Sequence, residues 1–477
     1  MKSVRIGGKL RRMRQERHMT QMQMAAELGL SPSYLNLIES NQRPVTVRVL
    51  LKLAERFQVE LSTLAPEDDE RLSTNLLEVF SDPLFDGADV KTSDVRDLVS
   101  SLPAVAHAFV DLYEAYRRRV SLPGSSAAGE DASEDGAAGI PSEEVTEFLQ
   151  RRSNHFPQLE ESAESLWVEH GLALHTLHQD LIDLLSQRFA VDVEVAPSDV
   201  MQGELRRYSP LNRRLELSEM LPLPSRTFQL AHQLAFLALR KEIEAIASAG
   251  KFLTPAADAL ARSALANYFA GALLMPYGRF LAAARSTRYD LDVLQHRFGV
   301  SFEQVCHRLS TLRRPGQEGV PFHLIRVDIA GNISKRFSAS GIHIARFGAA
   351  CPRWNVYDAF ATPGMVRVQV SKMPEGEAFF CMARTIEPAG RMTRRGGLPH
   401  RAGLLSIGLG CAIQHARDLV YSDGLNLDDP QIVTPIGVSC RTCPRDDCSD
   451  RAMPSLNQRL EIDENRRGLS TYVRPRH

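Results

Sequence analysis

The chain has 477 residues, room for about three domains of roughly 150 each, and its 43% hydrophobic content can build ordinary globular cores. Lysine and arginine number 57 against 58 aspartate and glutamate, a formal net charge of -1, so the molecule as a whole does not advertise a polyanion partner. No apolar run reaches the ~18 residues of a membrane-spanning helix, the opening MKSVRIGGKLRRMRQER lacks the apolar segment of a secretory signal, and seven cysteines are too few for a disulfide framework at this length. A cytoplasmic protein with no membrane contact is the expectation.

Positive charge concentrates at the amino end, where residues 1 to 60 carry 11 Lys and Arg against 5 Asp and Glu, a net +6. Between about 8 and 65, helix signals follow one another closely enough for a five-helix head of the helix-turn-helix kind. Thr20 with Gln23 three residues on is a capping box. The run MQMAAEL ends at Gly29, which can take the left-handed backbone of a tight turn, and Ser31 with Pro32 opens the next helix. Leu35 and Ile38 form its inward stripe, so Ser33, Tyr34, Asn36 and Glu39 are expected to face outward, with Asn41 and Arg43 just beyond. These side chains, with Ser31, suit base edges and phosphates. Arg11, Arg12, Arg14 and Gln21 stand where contacts to the DNA backbone are made. Two short helices meeting at a glycine occur in many bundles, but MTQMQMAAELGLSPSYLNLIESNQRPVTVRVLLKLAERF resembles the phage-repressor type of helix-turn-helix across nearly its whole length. That resemblance implies double-stranded DNA as a partner.

From about 66 to 120, apolar residues recur at three and four positions, as in SDVRDLVSSLPAVAHAFVDLYEAYRRRV, which predicts a helical connector or dimerisation element. Residues 121 to 144, SLPGSSAAGEDASEDGAAGIPSEE, have too few large apolar side chains to offset the entropy of ordering and read as a flexible linker. Long helical patterns then run through 143–190, 224–248, 255–288 and 301–312, interrupted by strand-like pieces at VDVEVA, GELRRYS and RRLELS.

Within that middle region, RTFQLAHQLAFLAL resembles the helix that bears His-Glu-x-x-His in a zinc-peptidase-like domain often fused to such heads, and the likeness extends over roughly 200 to 312. A zinc hydrolase needs two histidines one helical turn apart, a glutamate beside the first and a third ligand. Here His232 stands alone. Gln233 occupies the general-base place, Phe236 the second histidine and Leu265 the third ligand, so no peptidase activity is expected and His232 reads as a packed histidine.

After Pro315 the sequence turns to β-branched alternation (FHLIRVDIAGNISKRF, MVRVQVSKM, AFFCMARTI) and then LLSIGLG leading into CAIQHARDLVY, predicted as a strand and a helix. Cys440 and Cys443 form a C-x-x-C knuckle, Cys448 follows after four residues, and 28 residues separate Cys411 from Cys440. In a reducing cytosol such a set holds metal more often than disulfides. Spacing alone leaves structural zinc and an iron-sulfur cluster both open, because thiolates hold either. Taken together, the head, the disarmed peptidase-like domain and the CRTCPRDDC ending resemble the short-chain fatty acyl-CoA regulators. The resemblance covers nearly the whole chain. It implies a transcription factor of short-chain acyl-CoA metabolism, a [4Fe-4S] cluster on Cys411, Cys440, Cys443 and Cys448, and an acyl-CoA effector. Cys306, Cys351 and Cys381 fall outside the cluster pattern and are expected to be buried. A cationic rim beside an apolar slot suits an acyl-CoA, which makes Arg346, Phe347, Arg353, Trp354 and Arg384 candidate ligand residues.

The fold class is therefore multidomain: an all-α helix-turn-helix head (1–66), a helical connector (67–120), a flexible linker (121–144), a mostly α peptidase-like domain with a small sheet (145–315) and an α+β carboxy-terminal domain (316–477). The function it carries is that of a non-enzymatic, homodimeric, sequence-specific transcription regulator. Two rivals remain open: a DNA-binding zinc metalloprotease, which the residues at 232–236 oppose, and a plain repressor whose cysteines hold structural zinc.

Overall fold

The computed structural model describes residues 19–39, 67–85, 90–120, 141–345, 350–388 and 403–456, with isolated positions between 10 and 57, at 88, at 394–395 and 398–399, and at 470 and 472. Contacts divide the chain into two compact units, one of residues 1–128, 345–348 and 439–477, the other of 129–344 and 349–438. Leu265 and Leu324, on either side of the change of character at 315, belong to one buried cluster of the second unit, and residues 439–477 group with the first unit.

In the first unit, helix α1 (Gln21–Leu28) opens with the reciprocal cap foreseen from Thr20 and Gln23. It closes at Gly29, whose φ of +65° is the left-handed turn that glycine adopts without strain. Helix α2 (Pro32–Glu39) follows at once, with the Tyr34 N–H donating to the Ser31 hydroxyl at 3.2 Å. Met24, Ala25, Leu28, Leu35 and Ile38 bury themselves between the two helices and Leu10. Three further helices, α3 (Glu67–Phe80), α4 (Thr92–Ser101) and α5 (Pro103–Val120), make a bundle with its own core, in which Leu76 and Val79 meet Val95, Val99, Val110 and Tyr113. Most of the stretch from 67 to 120 is therefore helical.

The first described element of the second unit is α6 (Pro141–Arg151), so the last four residues of the expected linker are helical and the rest of it lies outside the described residues. Proline at the start, with Glu143 and Glu144 in the first turn, favours a helix amino end. Helices α7 (Pro157–Glu169) and α8 (Leu177–Phe189) lead to a three-stranded sheet of β1 (Asp192–Ala196), β2 (Arg206–Ser209) and β3 (Arg214–Ser218) in the order β1-β3-β2. Helix α9 (Leu223–Ala238) packs against α11 (Pro255–Leu274), which follows α10 (Arg240–Ser248). Helices α12 (Tyr277–Ser286), α13 (Leu291–Phe298) and α14 (Phe302–Leu309) complete the helical part.

Beyond it lie β4 (Phe322–Asp328), β5 (Ile333–Ser338), β6 (Arg367–Lys372), β7 (Ala378–Ile386), the two-residue pieces β8 (Arg394–Arg395) and β9 (Leu398–Pro399), β10 (Leu405–Ala412) and β11 (Val433–Pro435). All but β8 and β9 form one sheet in the order β11-β6-β7-β10-β4-β5. Side chains alternate across it: Leu324, Phe380, Met382, Ile407 and Leu409 join the helical core, while Ile325, Val327, Phe379, Cys381 and Ala383 meet a covering layer that carries Ile342, Trp354 and Val356. One expectation fails here. The segment after β10 is not an α-helix but two 3₁₀ turns, Ile413–Asp418 and Val420–Ser422. Arg288 explains the break, because its guanidinium takes the carbonyls of Arg417 and Leu419 while its own carbonyl accepts the Val420 N–H. Tertiary bonds thus claim groups that a continuous helix would use.

Candidate functional site

On α2 of the head, Ser33 and Asn36 are exposed, and Tyr34 is half-buried beneath the Arg43 guanidinium, 5.5 Å from the ring centre. Arg11 and Ser31 are exposed as well, while Arg12 and Asn41 lie outside the described residues. Glu39 does not face outward. It is 7% exposed and grips Arg14 through both carboxylate oxygens, at 2.7 and 3.1 Å, and Gln21 donates to it at 2.8 Å and to Asn36 at 3.3 Å. Arg14, expected among the phosphate contacts, is thereby occupied inside the head and also bonds the Met19 carbonyl. The reason is packing. Leu35, Ile38 and Glu39 share one face of α2, and a carboxylate on an inward face needs a cation. The network sets α2 against α1, with Ser33 and Asn36 on its exposed face.

Among the described residues, no group of ligating side chains gathers at the peptidase-like centre. His232 on α9 is 6% exposed and Gln233 and Leu265 are buried beside it. Phe236 packs edge-on to the imidazole with ring centres 5.1 Å apart. The Nδ1 of His232 accepts from Arg206 on β2 at 2.6 Å. Burial foremost, then the Arg206 charge, pushes the imidazole down to about 4, against a bond to the Ser263 backbone. The ring is committed within the protein to Arg206 and Phe236. Arg206 itself is drawn down to about 10 by burial, and among the described residues it forms no ion pair. Sequence reasoning missed this partner, which lies 26 residues from His232.

The cysteines of the tail fall in different places. Cys411 is fully buried on β10, pointing into the helical core of the second unit, where burial raises its thiol. Cys440, Cys443 and Cys448 share a loop of the first unit, Cys443 buried and the other two partly so. That loop is tied by a turn in which the Cys443 N–H donates to the Ser439 carbonyl and the Thr442 N–H to the Ser439 hydroxyl. The Ala452 N–H donates to the Cys440 Sγ at 3.5 Å, and Arg451 donates to the carbonyls of Cys440 and Cys443 at 2.6 and 3.1 Å and to that of Arg445. Burial pushes the Cys443 thiol up, opposed by a bond from the Arg445 backbone and by the charges of Arg451 and Arg445. Among the described residues, no three His, Cys, Asp or Glu side chains stand close enough to grip a metal ion, so a centre would have to draw the thiols together. The donor chemistry fits one: three thiols on a single loop, an N–H directed at sulfur, and a buried guanidinium whose Nε has no acceptor. Cys306, Cys351 and Cys381 are buried, as expected.

The effector candidates separate across the six-stranded sheet. Trp354 lies in the covering layer, 5% exposed with its indole N–H unpartnered, and Arg353 beside it offers its carbonyl to Gln369. Arg384 occupies the opposite face, where it pairs with Asp292 at 2.7 Å and lies over the Phe302 ring. Arg346 and Phe347 lie outside the described residues. A cleft of about 280 Å³ opens between β6 and the 425–434 segment, lined by Asn355, Asp358, Arg367, Gln369, Leu425 and Thr434. Nothing in the local pattern of the sequence marked it.

Three known families match the chain in series: a helix-turn-helix family over residues 10–64, an IrrE N-terminal-like domain over 186–310, and the short-chain fatty acyl coenzyme A regulator carboxy-terminal domain over 311–472. The chain is 42% identical to the "HTH-type transcriptional regulator PrpR" of Mycobacterium tuberculosis, across 96% of this chain and 93% of that protein. It is 40% identical to the "HTH-type transcriptional regulator RamB" of the same species, across 99% of both. A "Propionyl-CoA carboxylase regulator" of Cereibacter sphaeroides is 41% identical across 98% of both. A solved Mycobacterium tuberculosis transcriptional regulator superposes with a TM-score of 0.66 at 41% identity, covering 70% of this chain and all of that one.

Proposed function

The chain belongs to the family of short-chain fatty acyl coenzyme A regulators and is a DNA-binding transcriptional regulator rather than an enzyme, and from that premise we propose that it controls genes of propionyl-CoA and related short-chain acyl-CoA metabolism in response to the acyl-CoA itself. The observation that carries the reading is the head, where Arg14, Gln21 and Glu39 lock α2 in place and Ser33 and Asn36 remain exposed. A recognition helix works that way, with phosphate contacts fixing register and a few side chains reading bases. In this reading the protein works in the cytoplasm as a homodimer, so that two heads engage paired half-sites. No described helix is long and apolar enough to cross a membrane.

The same reading assigns Cys440, Cys443 and Cys448, with Cys411, to a [4Fe-4S] cluster, supported by the donor chemistry of the loop and by the family. When bound, such a cluster supplies a rigid, negatively charged cross-link of the segments that ligate it. The chain's own part is to present the sulfurs, direct the Ala452 N–H at Cys440 and seat Arg451 against the loop backbone. Effector and DNA are coupled only if the acyl-CoA binds one arrangement of the heads better than another, since equal affinity shifts nothing.

Footprinting on the chain's own promoter region, with and without propionyl-, acetyl- or crotonyl-CoA, tests the effector reading. A footprint that tightens or relocates with one of these ligands is expected. An unchanged footprint together with no ligand uptake rules the effector out while leaving the DNA-binding role intact.

A further inference from the structure

We propose that Arg451 is the counter-cation of the cysteine loop, its buried guanidinium placed to offset the negative charge of a thiolate-held iron-sulfur cluster while fixing the backbone that carries Cys440 and Cys443. The inference rests on the cluster reading above and adds to it a residue outside the ligand set.

A guanidinium stays charged in proteins, and burying it without an anion costs several kcal/mol. Arg451 is 4% exposed. Its N–H groups meet the carbonyls of Cys440, Cys443 and Arg445, which are neutral, and its Nε meets no acceptor. Asp446, Asp447 and Asp450 all lie within five residues of it in sequence, yet among the described residues none pairs with it. The loop thus holds its cation inward, against neutral carbonyls. Three further bonds hold that placement. The Ser455 hydroxyl donates to the Cys443 carbonyl at 3.0 Å, the Ser470 hydroxyl to the Arg451 carbonyl at 2.9 Å, and the Arg451 N–H to the Cys448 carbonyl at 3.2 Å. The next residue, Ala452, aims its N–H at the Cys440 sulfur. One turn therefore brings together a buried positive charge, a sulfur-directed donor and the backbone of all three loop cysteines. A cluster ligated by thiolates is anionic, and charge and hydrogen bonds around the sulfurs set its potential and retention. Arg451 supplies the charge and Ala452 the bond to sulfur.

The test uses the full chain, loaded anaerobically with ferrous iron and sulfide, as wild type, R451K and R451Q. Two quantities are read: iron loss to a chelator, and the midpoint potential followed in the visible band. R451K, which keeps the charge, stays close to wild type in both. R451Q loses iron on the order of 10-fold faster and shifts to a lower potential, because an added electron is no longer met by a nearby cation. Where no redox couple is reached, iron retention alone decides. R451Q matching wild type overturns the proposal. So do R451K and R451Q impaired alike, which would make Arg451 a backbone staple whose charge is irrelevant. If R451Q does not fold, R451K decides by itself, wild-type retention supporting the proposal and iron loss refuting it. A wild-type chain that takes up no iron, or only zinc, fails the cluster reading itself and removes this inference with it.

Discussion

Two buried arginines differ in what surrounds them. Arg308 in the second unit, 2% exposed, clasps both oxygens of Glu160 at 2.6 and 2.8 Å, gives further bonds to the Met275 carbonyl and the Thr311 hydroxyl, and shares Glu160 with the Tyr268 hydroxyl. Among the described residues, Arg451 in the cysteine loop meets carbonyls alone. The balanced pair is complete within the fold and asks for no ligand. In the proposed reading, the negative charge of the cluster is the partner that Arg451 lacks among the described residues. One buried charge is thus balanced within the fold, while for the other a partner is proposed.

The largest expected effect comes from breaking the balanced pair. E160A strands Arg308 in the core and lowers the stability of the second unit by about 3–5 kcal/mol, read as a fall in the denaturant midpoint at neutral pH. Burial by itself would raise the Glu160 carboxyl, but Arg308 outweighs it and holds the group below the ordinary range. A depressed carboxylate stabilises above its unfolded value, and that contribution is lost as pH falls through the folded one. The gap between wild type and E160A should therefore narrow in acid. A midpoint that does not move would mean that the pair is incidental to the unit.

The same unit tolerates little added volume. At Gly410 on β10, a Cβ would stand 2.5 Å from the His323 ring and 2.8 Å from the Phe380 carbonyl. G410A is expected to cost about 1–3 kcal/mol by overpacking, and an unchanged melting curve would show slack that the packing denies. In the head, the Arg14–Glu39 pair repeats the balanced device at small scale, and Asn36 outside it should carry recognition. N36A is expected to weaken the preferred operator by about 1–3 kcal/mol relative to unrelated duplex. Equal losses on both duplexes in a gel-shift titration would demote Asn36 to a phosphate contact. The smallest effect belongs to T20A, about 1 kcal/mol from the lost cap of α1, with a far-ultraviolet melt as the measure.

What could be read from the sequence was local. The reciprocal cap at Thr20, the turn at Gly29 and the Ser31 cap each lie within a few residues, and the replacements at Gln233, Phe236 and Leu265 follow from one motif. What stayed hidden depends on residues distant in the chain. Glu39 looks like a surface reader until Arg14 arrives from 25 residues away, and Glu160 finds Arg308 across 148. The helix expected after β10 fails because Arg288, more than a hundred positions upstream, takes its carbonyls. Arg451 lies close to the cysteines in sequence, yet its role rests on burial and on the carbonyls it meets, which no spacing reveals.

Anaerobic purification of the wild-type chain, followed by iron, sulfide and zinc analysis, tests the central claim most directly. The account predicts a brown protein with broad visible absorbance and about four irons per chain, and a C443S chain that has lost them. A colourless protein carrying zinc, or no metal at all, would contradict it.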